Sequence, residues 1–151
     1  MTKRLNILAR KNDGIDGLVA VEAWIAKSFD SKLMELVKVR VSQINGCPHC
    51  LHMHRHDALK QGETEERMLL LSAWRESQLY SDRERAALAW AESLTNIAES
   101  RAPDADYEVA KSTFSEDELL ALSIGIAMIN AWNRLAIGFR LQHPADHKRA
   151  A

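Results

Sequence analysis

Apolar residues recur along the chain at intervals of three and four, with no sustained alternation, so the pattern predicts helices and no half-buried strands. The first amphipathic stretch covers about Gly17 to Ser28, with Leu18, Val21, Ala23, Trp24 and Ile25 as its apolar members. A second, Lys32 to Ile44, opens with Asp30 or Ser31 as N-cap and closes at Asn45-Gly46, a pair that tolerates left-handed backbone. Cys47 then stands at the next N-cap, with Pro48 in the first helical position, where its missing N–H costs nothing. That helix is predicted to run to about Lys60.

Further helices are predicted from Thr64 to Trp74, Ser81 to about Ala98, Asp104 to about Thr113 and Ser115 to about Phe139. Ser81 with Glu84 and Ser115 with Glu118 read as capping boxes. The helix from Ser115 is apolar on more than one face, and the Lys32 to Ile44 helix also carries a surplus, which points to an interface between subunits. With no repeat and no linker, the expectation is one all-α domain over residues 1–151, its core at about 17–140, and a loose polar tail from His143-Pro144.

Composition narrows the function. The chain has 151 residues, enough to bury a core without staples, and a formal net charge of -1 offers no general attraction for nucleic acid or anionic lipid. Residues Met1 to Asp13 scatter basic groups among apolar ones and form no secretory leader, so a cytoplasmic protein is expected. The longest uncharged stretch, Leu119 to Asn133, contains two Asn and is shorter than the roughly 20 residues that cross a bilayer, so no membrane span is expected. The only cysteines, Cys47 and Cys50, are too close for a stabilising loop closure, and in a reducing compartment such a pair reads as redox or metal chemistry.

On a helix beginning at Cys47, Cys50 and His54 fall within about 60° of Cys47, on the side that also carries Leu51 and Ala58. His49, His52 and His56 fall on the opposite side. A hairpin pivoting on Gly46 sets Glu35 level with the turn from His54 to Asp57. A carboxylate there can hold one ring nitrogen of His54 and leave the other to take a proton from a thiol. A helix N-terminus and an imidazole both favour the thiolate, and a second thiol one turn away can trap a sulfenic acid. On these residues alone, a thiol redox pair, half of a zinc site and chance all stay open, and His52 with His56 can pair on a metal at the outer face.

The pattern Glu-x11-Cys-x2-Cys-x3-His, here Glu35, Cys47, Cys50 and His54 with His49 between the cysteines, resembles the alkylhydroperoxidase AhpD core of the carboxymuconolactone decarboxylase family. The likeness extends loosely from Lys32 to Thr95, and the run Ile129-Asn-Ala-Trp-Asn-Arg-Leu135 resembles the later core helix of the short, peroxidase-related members. The resemblance implies an AhpD-like helical bundle that assembles as a dimer, trimer or hexamer. It implies a thiol-dependent hydroperoxide reductase in which Cys50 attacks the peroxide, Cys47 resolves the sulfenic acid as the pair closes to a disulfide, and Glu35 and His54, with His49 as a secondary candidate, move the proton. No bound cofactor or metal is implied, and the reductant would be an external dithiol of lipoyl or thioredoxin type. The competing expectations are a metal-binding or structural oligomer, and a decarboxylase-like enzyme that uses Glu35 and His54 without the thiols.

Overall fold

The computed structural model describes residues 4–9 and 12–143. Helix α1 spans Asp13–Ser28, α2 Ser31–Asn45, α3 Pro48–Lys60, α4 Glu65–Leu70, α5 Asp82–Thr95, α6 Ile97–Ser100, α7 Asp104–Thr113 and α8 Glu116–Phe139, with a 3-10 segment at Leu71–Glu76. No strand occurs among the described residues. The tail predicted to be loose lies almost wholly outside them.

Caps account for most boundaries. Both capping boxes form, at Ser81 with Glu84 and at Ser115 with Glu118. Helix α1 starts four residues before Gly17, because the Asn12 side chain accepts from the N–H groups of Gly14 and Ile15 and so satisfies the first turn. The helix predicted through Trp74 tightens into the 3-10 segment. There Trp74 donates its indole N–H to Glu92, and the Arg85 guanidinium takes the carbonyls of Trp74, Arg75 and Ser77. Helix α5 stops at Thr95 rather than Ala98; the short α6 follows, and Arg101 and Ala102 hold positive φ before Pro103.

Helix α2 lies in the middle, packed against α3, α5 and α8, while α8 also packs on α1. Leu33, Leu36, Val37, Val39 and Val41 on α2 are buried together with Leu122, Ile126 and Ile129 on α8 and Leu88 on α5. Each such side chain contributes about 1.5–3 kcal/mol by leaving water. The apolar surplus of α2 is therefore taken up inside this chain: it is a central helix, and its composition does not call for a subunit interface. Where α8 crosses α2, a Cβ on Gly125 would come within 2.4 Å of the Met34 methyl, so the missing side chain permits the approach. Helix α8 is long and apolar enough to cross a membrane by length and composition, and half of that stretch is buried within the fold.

Candidate active site

The site is built on the hairpin of α2 and α3. Gly46 ends α2 at φ 68°, ψ 39°, a left-handed conformation that glycine adopts without a Cβ penalty, and so the chain reverses within two residues. Cys47 caps α3 as expected: its Sγ accepts from the Cys50 N–H at 3.4 Å, and Pro48 fills the first turn. The Cys47 N–H turns back to the Ser42 carbonyl at 3.0 Å, locking the reversal.

The hairpin brings Glu35 to His54, whose Nδ1 lies 2.7 Å from the Glu35 carboxylate. With Glu35 ionised, Nδ1 carries the ring proton and Nε2 is left as the proton acceptor. His54 is 7 % exposed. Lys38, one turn along α2, is likewise buried, with its ammonium 2.7 Å from Glu22 and 3.9 Å from the second oxygen of Glu35. Glu35, His54 and Asp57 have ligand atoms within 4.8 Å of one another, a set able to hold a divalent cation, with the Lys38 ammonium beside it as a competing charge. Glu35 and Lys38 also wall a groove of about 370 Å³ between α1 and α2, otherwise lined mainly by apolar side chains such as Val19, Ala23, Phe29 and Met34.

Both cysteines are free thiols, 0 % and 2 % exposed. The Cys47 thiol is pulled down to about 7, chiefly by the Cys50 thiol that hydrogen-bonds to it; burial opposes this, while the backbone N–H groups of Cys50 and His49 and the Asn133 amide assist. The Cys50 thiol is pushed up, first by its bond to Cys47 and then by burial. In the reduced protein Cys47 is thus the thiol that ionises first, and Cys50 holds its proton more firmly.

The remaining histidines separate clearly. His49 places its Nδ1 2.9 Å from the Gln142 carbonyl, so its ring is tied to the segment after α8, and its backbone N–H is what serves Cys47. His52 is exposed and stacks on His143 with ring centres 5.5 Å apart, and His56 is exposed. Of the four tryptophans, Trp74 and Trp90 are core, Trp24 is exposed, and none lines the groove beside Glu35.

The structure adds groups not named as site candidates from spacing. Asn133 of α8 is fully buried; it accepts from the Asn45 amide at 2.9 Å and donates to Ser42 Oγ at 3.1 Å. Asn45 also donates to Asn130 at 2.9 Å. The available signal was two Asn at i, i+3 in the longest uncharged run, since buried amides require partners.

Residues 13–93 match the carboxymuconolactone decarboxylase family. The chain is 38% identical over 138 residues to the uncharacterized protein YdfG of Bacillus subtilis, covering 91% of this chain and 94% of that protein. It superposes with TM-score 0.90 and 37% identity on a protein of unknown function from Agrobacterium tumefaciens, suggested to be the antioxidant defence protein AhpD, over 95% of this chain and 99% of that one. An uncharacterized peroxidase-related protein from Silicibacter shares the fold at TM-score 0.76 and 22% identity, over 91% of this chain and 73% of that one. The chain belongs to the carboxymuconolactone decarboxylase family and has the AhpD-like all-helical fold.

Proposed function

We propose that this protein is a thiol-dependent hydroperoxide reductase that cycles Cys47 and Cys50 between dithiol and disulfide. The observation that carries the reading is the joining, on one hairpin, of a reduced thiol pair at a helix start to a Glu35–His54 ion pair at 2.7 Å. A decarboxylase that uses Glu35 and His54 alone would have no need of a paired thiolate.

The Cys50 proton passes to Nε2 of His54, and Glu35 stabilises the imidazolium. The Cys50 thiolate attacks the terminal peroxide oxygen, forming S–O and breaking O–O; the alkoxide leaves as alcohol with the proton from His54. Cys47, as the thiolate, attacks the Cys50 sulfur, forming S–S and breaking S–O, and hydroxide departs as water with the proton that Cys47 gave up to solvent on ionising. Two thiols and one hydroperoxide thus give a disulfide, an alcohol and water. An external dithiol, in a reducing compartment, reopens the disulfide through Cys47. His49 acts through its backbone N–H at Cys47. A second copy of the chain completes the assembly, its contact drawing on apolar side chains left exposed, such as Ile97, Leu120 and Ile137.

The test is to reduce the protein, add one equivalent of cumene hydroperoxide, quench with an alkylating reagent and weigh the intact chain. Loss of both alkylatable thiols, restored by dihydrolipoamide, is expected. Full alkylation after peroxide overturns the reading.

A further inference from the structure

We propose that Asn133 of α8 is a catalytic residue of the thiol pair, donating an amide N–H to the Cys47 thiolate, and that a directional chain of amides holds it in the donating orientation. The inference rests on the thiol chemistry proposed above and adds a residue that enters the site from a distant part of the chain.

The orientation follows from donor and acceptor capacity. Arg134 can only donate, and it donates to Asn130 Oδ1 at 3.1 Å. The Ile126 carbonyl can only accept, and it takes the Asn130 amide at 2.9 Å, with Thr95 Oγ1 also near that nitrogen at 3.1 Å. These two anchors fix which end of Asn130 is oxygen. Its Oδ1 therefore faces a donor, which must be Asn45 Nδ2, at 2.9 Å. The second proton of that nitrogen points to Asn133 at 2.9 Å, so the atom it meets is Oδ1. A flipped Asn133 would set two NH2 groups against each other, with Asn133 itself closed off from water.

Asn133 Nδ2 must then face the other way, towards Ser42 Oγ at 3.1 Å and the thiols. One of its protons goes to Ser42. We assign the second to the Cys47 sulfur: the Ser42 carbonyl holds the Cys47 N–H at 3.0 Å, so Ser42 bridges the amide and the thiol, and Asn133 acts to lower both thiols. A buried donor left without an acceptor is costly, and a thiolate is the acceptor this corner supplies.

The surroundings leave that role to a neutral group. Charged or titratable side chains on the hairpin and α8 are Lys32, Glu35, Lys38 and Arg40 from α2, His49, His52, His54, Arg55, His56, Asp57 and Lys60 from α3, and Glu116, Asp117, Glu118 and Arg134 from α8. The largest influences on the resting ionisation of the two thiols are the thiols themselves, burial, the N–H groups of Cys50 and His49, and Asn133.

The experiment follows thiol ionisation, not turnover, so its failure is separate from failure of the peroxidase reading. In the reduced wild-type protein, a side-chain amide proton of Asn133 followed by NMR should shift with the same midpoint as the ultraviolet thiolate band. In Asn133→Ala that midpoint should rise by about half a unit to one unit, the loss of one modest hydrogen bond. Ser42→Ala, which leaves the second amide proton in place, should keep the midpoint near that of the wild type. A variant that melts at lower temperature but ionises as the wild type does would make Asn133 structural and overturn the proposal. If Asn133→Ala does not fold, the wild-type measurement decides: amide protons unmoved through the titration overturn it equally.

Discussion

Glu35 and His54, nineteen positions apart in sequence, meet at 2.7 Å across a reversal that turns on a single left-handed glycine. The pair is largely withdrawn from water, so each partner fixes the geometry of the other, and the imidazole presents one defined nitrogen.

Glu35→Gln keeps the shape of the side chain and removes its charge. The rate at which peroxide converts the two thiols to disulfide should fall about 100-fold, a usual share for positioned acid–base help, with the helical spectrum unchanged. His54→Asn should do the same, and the double variant should be little worse than either, because the two residues act as one unit. Stopped-flow rates that multiply across the double variant would show that no relay exists.

Single-cysteine variants separate the two sulfurs. Cys47→Ser should consume one peroxide and leave a sulfenic acid on Cys50 that a dimedone adduct reports, whereas Cys50→Ser should leave peroxide untouched. The opposite pattern would move the attacking role to Cys47, the thiol that ionises more readily.

Ionisation of Cys47 near pH 7 has consequences for both reactivity and stability. Its folded value lies below the ordinary 9.0, so it adds stability that is complete above that pH and lost as pH falls towards 7. Cys50, shifted upward, adds stability that is complete below 9.0 and lost as pH rises through its folded value. Denaturant midpoints of the reduced protein should therefore rise from pH 7 to 9 and fall beyond it. Cys50→Ala removes the thiol that does most to lower Cys47 and should carry the ionisation of Cys47 back up.

Gly46→Ala would force a Cβ into left-handed backbone and should cost about 1–2 kcal/mol in urea unfolding. Because the same turn sets the level of Glu35 against His54, peroxide-dependent oxidation should slow more than that loss of stability explains. A variant slowed only in proportion to its unfolded fraction would show that the turn does not set the register of the relay.

The helices, both capping boxes and the hairpin were legible because each is encoded locally: Asn45-Gly46 reverses the chain, Cys47-Pro48 starts the next helix, and the eleven positions from Glu35 to the pivot at Gly46 set it level with the turn from His54 to Asp57. What escaped depends on docking. Lys38 reads as a solvated helix residue until α1 sets Glu22 against it, and Asn133 meets Asn45 and Ser42 only because α8 packs along α2, where Gly125 passes Met34. The tight turn after Leu70 likewise follows from Glu92 and Arg85, which lie on the next helix. The apolar excess of α2 pointed outward to a partner, whereas three neighbouring helices of the same chain absorb it.

Asn45 and Asn133 are separated by 88 positions, whereas the thiols and the relay fit within twenty residues of one another. A nascent chain that has released only the hairpin already holds both sulfurs together but lacks the amide that steadies their charge. The surroundings of the thiols are thereby completed by the last helix to be made: until α8 seats, neither its amide nor its share of the burial acts on the two sulfurs.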